Sequence, residues 1–259
     1  MSIARDVTTV GSATLLSRLL GFFRDAGIAA VLGAGVFSDA FFAALQIPNL
    51  FRRLLAEGAL NSAFVPMWLR LKAESGERGA RRFAEGVLGT MLVALGTVAV
   101  LCVVFAPIVV HLLAPGFNDP GERFPLAVEF VRFSVPYVAV AGLVAVAAAT
   151  LNAEGHVGAA AFGLIVFNLV MVTAVAAVLV SGIGATPLAG AILSGAIVAA
   201  GICQFLLVGG ALTSLHEPPV TPRLRRSRDV ARFFALMIAV GVLVIGISTW
   251  QLTRVFKLA

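Results

Sequence analysis

Charge is what this sequence has least of. Asp, Glu, Lys and Arg make up 12% of its 259 residues, 60% are hydrophobic, and the mean hydropathy is +1.02. A soluble domain of this size has too little interior to hide so much apolar surface. That excludes a soluble enzyme, and it excludes a nucleic-acid partner despite a net charge of +6. Strict apolar–polar alternation is missing too, which excludes a transmembrane β-barrel. The two cysteines, Cys102 and Cys203, sit inside apolar runs and read as packing residues, not as a disulfide or metal pair. His111, His156 and His216 stand apart from one another, each near a membrane face. No Ser/His/Asp or Cys/His set, metal-ligand spacing, phosphate-cradling loop or acidic cluster for Mg²⁺ can be assembled. The chain therefore reads as a non-enzyme without metal or cofactor. Its N-terminus shows no short apolar core followed by a cleavage site, and reads as mature sequence.

What is present is a series of long apolar runs. Windows at about 8–32, 36–69, 84–113, 126–151, 157–181, 186–214 and 233–256 are each long enough to cross a bilayer. They predict an all-α integral membrane protein of about seven transmembrane helices. The expected organisation is a six-helix lobe over 1–215, a basic linker over 216–232, and a seventh helix over 233–259. Turn chemistry marks the breaks, among them Gly33-Ala34-Gly35, the charged run 70–82 and the Pro/Gly-rich stretch 115–121. Lys and Arg concentrate in two loops, with Arg70, Lys72, Arg78, Arg81 and Arg82 in one and Arg223, Arg225, Arg226, Arg228 and Arg232 in the other. The excess of basic residues in loops on one side places both loops, and the N-terminus, in the cytoplasm. There they also suit contact with anionic membrane lipids.

Four arginines break this pattern by lying inside apolar spans: Arg18, Arg24, Arg52 and Arg53. Asp25, Asp39 and Glu57 accompany them. One such charge at the bilayer centre costs about 2.5–3.5 kcal/mol even on the low scales, so the guanidinium groups cannot face lipid. Arg53 and Glu57, four apart on a helix, can pair directly. Arg18 and Asp25 share a helix face across two turns, with Gly21 leaving room for a neighbouring backbone. Asp39, thirteen residues or ~20 Å along the axis from Arg52, is too far away to neutralise it. Arg52 and one of Arg18 or Arg24 are left without a local acid. Arginines held by helix-end carbonyls are one reading. The other is a cationic chamber for an anionic ligand, and phosphate suits the planar two-pronged guanidinium best. Pro48, four residues before Arg52, and the Gly33–Gly35 turn are candidate hinges. Pro66 and Pro136 mark further bends. Asn152, Glu154 and His156 read as a polar cap on a turn, and Asn168 and Gln204 as interhelical hydrogen-bonding residues.

Several of these residues form a dense pattern: Ser17-Arg18-Leu19-Leu20-Gly21-Phe22-Phe23-Arg24-Asp25, Asp39-Ala40-Phe41-Phe42, Pro48-Asn49-Leu50-Phe51-Arg52-Arg53-Leu54, Ala56-Glu57-Gly58-Ala59, and Ala63-Phe64-Val65-Pro66. Together with Ala114-Pro115-Gly116-Phe117 and Leu151-Asn152, it resembles the MurJ (MviN) family of the multidrug/oligosaccharidyl-lipid/polysaccharide exporter superfamily. The resemblance is densest over 11–66 and looser to about 215. It implies a multi-pass carrier of the bacterial inner membrane that flips lipid II, the undecaprenyl-diphosphate-linked peptidoglycan precursor, by alternating access between two lobes. It assigns substrate binding to Arg18, Arg24 and Arg52, with Asp39 as acidic partner. The energy source would be a coupling ion or the membrane potential. A second lobe, with its own cavity arginine and the helices of a lipid-tail groove, is expected beyond this chain. An exporter of another polyprenyl-linked glycan and a non-transporting membrane scaffold or partner subunit are the alternatives.

Overall fold

Two glycines set the first corner of the chain. The computed structural model describes residues 3–56, 59–117, 121–215, 220–224 and 227–237. Helix α1 (Ile3–Leu32) stops where Gly33 takes φ +68° and Gly35 φ +142°, values that a side chain resists. The Gly33 amide closes the last turn on the Ala29 carbonyl at 3.0 Å. Ser38 then accepts from the Gly35 amide at 3.2 Å, so α2 (Val36–Ala56) starts capped. Helix α2 runs on through Pro48, whose ring is buried.

Helix α3 (Ala59–Val104) has 46 residues, ~69 Å at the usual rise and about twice the hydrocarbon thickness. It is not one rod, because Gly76 at φ 68°, ψ −175° breaks it. The loop expected over 70–82 is thereby corrected: the charged run is helical on both sides of that glycine. Its Ala, Glu, Lys and Arg are strong helix formers. Pairs four apart, Arg70–Glu74 (3.6 Å) and Arg81–Glu85 (3.3 Å), add to this. The single window at 36–69 is likewise shared between α2 and the start of α3.

A short α4 (Ala106–Leu113) carries Pro107 in its first turn, where proline is tolerated, and leads to a 3-10 turn at Pro115–Phe117. Helices α5 (Arg123–Ser134) and α6 (Tyr137–Ala153) are separated by Pro136 but form one 31-residue apolar stretch, Arg123–Ala153. Helix α7 (Val157–Ser181) ends on left-handed Gly182, and α8 (Pro187–Leu215) opens with the Thr186 hydroxyl capping the Ala189 amide at 3.2 Å. Among the described residues, Val36–Val104, Arg123–Ala153, Val157–Ser181 and Pro187–Ser214 are long and apolar enough to cross a membrane.

Helix α1 lies chiefly along α7, α7 along α8, α2 along α5, and α3 along α6. Small residues let these helices close in, as where Gly201 of α8 receives the Tyr137 ring and a Cβ would stand 2.6 Å from it. Trp68, Phe41, Phe64 and Phe130 fill the interior. Phe233 joins them, fully buried, with its ring 6.0 Å from Phe64 and 5.9 Å from Phe83. The expected seventh span therefore begins docked on α3, and its remainder over 238–259 lies outside the described residues. The preceding linker also touches α3, where the Arg223 amide donates to the Glu85 carbonyl at 3.0 Å.

Candidate functional site

Arg24 points from α1 towards α7 and is held on two sides. Its Nε and Nη2 both meet Asp25 Oδ1 at 2.9 Å, and its Nη1 donates to Asn168 Oδ1 at 2.9 Å. The guanidinium is largely covered, with 19% side-chain exposure, while Asp25 is 56% exposed. Asn168 Nδ2 in turn donates to the carbonyl and the hydroxyl of Ser17, each at 3.0 Å. Asn168 is the twelfth of the 25 residues of α7, so the bond places Arg24 at the middle of that membrane-length helix.

Arg52 lies on α2, which packs against α6, the helix that begins with Tyr137. The fields of Arg52 and Arg24 both reach the hydroxyl of buried Tyr137. Tyr137 is the fifteenth residue of the 31-residue stretch Arg123–Ala153, again its middle. Its ring rests against Phe167, 5.5 Å between centroids, one residue from Asn168. Arg52 is half-buried and Arg18 exposed, and neither has an ion-pair or hydrogen-bond partner among the described residues. Counted together, Arg18, Arg24 and Arg52 against the one carboxylate of Asp25 give a net +2 (three minus one). Such charges cannot rest in hydrocarbon. They need water or an anion.

Of the other sequence candidates, Asp39 sits at the first turn of α2 and pairs with Arg123 at 3.4 Å, both about half exposed, rather than with any of the mid-span arginines. Arg53 is exposed, and its expected partner Glu57 lies outside the described residues. Asp25 lies against its neighbour Arg24, not Arg18. Gly33 and Gly35 form the α1–α2 corner, and Pro48 is buried one turn before Arg52. Among the described residues no group of His, Cys, Asp and Glu could hold a metal ion.

Sequence reasoning missed three contributions. Tyr137, the chain's only tyrosine, carried a signal in being a polar ring placed in the middle of an apolar run directly after Pro136. Asn168 reads as interhelical glue, and nothing in the sequence says that its partner is an arginine 144 residues away. Glu154, a turn cap on sequence grounds, accepts from Lys72 Nζ (2.7 Å) and Trp68 Nε1 (2.8 Å), tying the basic part of α3 to the α6–α7 turn.

The family described as Lipid II flippase MurJ matches residues 28–259. A protein of Rhizobium tropici named a probable lipid II flippase MurJ is 42% identical over 162 residues, 62% of this chain and 30% of that protein. One from Rhizobium meliloti (strain 1021) with the same name is 44% identical over 153 residues, covering 59% and 29% respectively. The match spans less than a third of the length of either relative. Among solved structures, a lipid II flippase MurJ in an inward closed conformation superposes with a TM-score of 0.72 at 20% identity, covering 90% of this chain and 46% of that one. At that identity the likeness speaks for the fold alone, an all-helical architecture.

Proposed function

The chain belongs to the MurJ family of lipid II flippases, and on that footing we propose that it works as one lobe of a carrier that moves lipid II across the bacterial inner membrane. The supporting observation is that the charges of Arg24 and Arg52 both bear on buried Tyr137, with Arg18 about two turns before Arg24 on α1. A local charge of +2 complements a diphosphate, and guanidinium groups donate paired hydrogen bonds to phosphate oxygens. The polyprenyl tail stays in lipid while the diphosphate sits among the arginines.

In this account the N-terminus and the basic segments face the cytoplasm, and the cluster takes the diphosphate from that side. Rocking at the Gly33–Gly35 corner and around Pro48 then turns the site outward, towards the end that carries Asp39 and Arg123. The ion pair there (3.4 Å) is exposed enough to break at little cost. A second lobe completes the cavity, and a coupling ion or the membrane potential supplies the bias between the two states.

Depletion of the intact carrier tests the proposal. Lipid II should accumulate on the cytoplasmic side and be cleared by wild-type protein, but not by Arg52→Ala protein inserted at an equal level. Clearance by Arg52→Ala contradicts a cationic substrate site. Accumulation of a different polyprenyl-linked glycan points instead to a related exporter.

A further inference from the structure

The Arg24 guanidinium has five N–H groups. Asp25 takes those on Nε and Nη2, and Asn168 takes one on Nη1, which leaves one N–H on each of Nη1 and Nη2 without a partner among the described residues. The direction in which those two point is fixed by what holds the rest of the group. Asp25 alone cannot fix it, because its carboxylate is more than half exposed. Asn168 can, because it is buried and anchored at its other end.

The orientation of the Asn168 amide comes from its neighbours. Arg24 only donates and the Ser17 carbonyl only accepts, so Oδ1 must face α1's arginine and Nδ2 its serine. Gly21, between them on α1, brings the backbone close: a Cβ there would lie 3.9 Å from Nδ2 and 4.0 Å from Oδ1. One amide thus reads two turns of α1 at once. The preceding residue, Phe167, packs on the ring of Tyr137, on which the charges of Arg24 and Arg52 both bear.

We propose that Asn168 is a positioning residue of the substrate site: anchored on Ser17, it turns the free edge of Arg24 towards the diphosphate of the bound lipid. This rests on the reading of the arginine cluster as a diphosphate site. An amide suits the task better than an acid, because it orients the guanidinium without neutralising it. Asp25 already supplies the one negative charge the cluster carries.

The test is binding of lipid II to the intact carrier in detergent, titrated by native mass spectrometry, for wild type, Arg24→Ala, Asn168→Leu, the Arg24→Ala/Asn168→Leu double variant and Asn168→Asp. Asn168→Leu is expected to weaken binding about tenfold, the worth of one charge-assisted hydrogen bond. The double variant is expected to bind within about twofold of Arg24→Ala, since Asn168 acts through that arginine. Asn168→Asp retains the shape and an acceptor for Arg24, but adds a charge that competes with phosphate and turns an oxygen onto the Ser17 carbonyl. It should weaken binding at least as much as Asn168→Leu, and it carries the test should the leucine variant fail to insert. A mere tie between α1 and α7 is also broken by Asn168→Asp, but it predicts that the loss caused by Asn168→Leu persists in full when Arg24 is absent. Wild-type binding by Asn168→Asp, or full additivity in the double variant, overturns the proposal. Wild-type binding by Arg24→Ala, where Asn168 is intact, overturns the diphosphate reading itself and this inference with it.

Discussion

Arg52 and Arg53 are adjacent, yet the structure gives them different surroundings. Arg52 is half-buried within electrostatic reach of Tyr137, and Arg53 is exposed. Arg52→Ala should abolish support of cell-wall synthesis with insertion retained, and Arg18→Ala and Arg24→Ala should do the same. Arg53→Ala should chiefly lower the amount of protein in the membrane. Growth complementation read beside immunoblots of membrane fractions separates the two outcomes. The arginines were legible in the sequence because a charge in hydrocarbon is costly wherever the helices go. Their partners were not. Asp25 lies beside Arg24 in sequence, but the second partner, Asn168, arrives only when α7 packs along α1. Spacing on one helix suggests Arg18 for Asp25, a pairing that the neighbouring Arg24 pre-empts.

Among elements, the α1–α2 corner is the clearest case of chemistry read directly from residues. Gly33 at φ +68° occupies a conformation that costs an L-residue about 1–2 kcal/mol. Gly33→Ala should therefore lower the melting temperature of the purified protein by a few degrees, and slow transport further if the corner is a hinge. A Cβ at Gly33 meets no atom within 4 Å, so backbone strain and not collision would be what the melting curve reports. Gly201 offers the opposite test. Gly201→Ala places a Cβ 2.6 Å from the Tyr137 ring, and should displace that ring and reduce lipid II binding while every charge remains in place. The charged run at 70–82 shows where the sequence misleads. Density of charge reads as loop, whereas helix propensity and pairs four apart keep it helical up to and beyond Gly76.

At the scale of the molecule, the described segment around Arg223 is fastened to α3. The Arg223 carbonyl oxygen lies 2.5 Å from where a Cβ on Gly89 would stand, and backbone cannot swing aside as a side chain does. Gly89→Ala should lift the segment from α3, and faster trypsin cleavage at Arg223 in inside-out vesicles would report it. An unchanged cleavage rate would contradict the docking. Phe233 and the Arg70–Asp229 pair (3.2 Å) hold residues 227–237 to α3 as well. Membrane class and all-helical architecture could be read from composition and hydropathy. The order in which helices pack could not, since contacts such as α1 on α7 depend on small residues meeting across the bundle. The central claim is that guanidinium groups at mid-membrane carry a +2 site for a diphosphate. The most direct measurement compares the affinity of the intact carrier for undecaprenyl diphosphate with that for undecaprenyl monophosphate. The account predicts a preference for the diphosphate of about tenfold or more, abolished by Arg52→Gln; equal affinities in the wild-type protein, or a preference that survives Arg52→Gln, would contradict it.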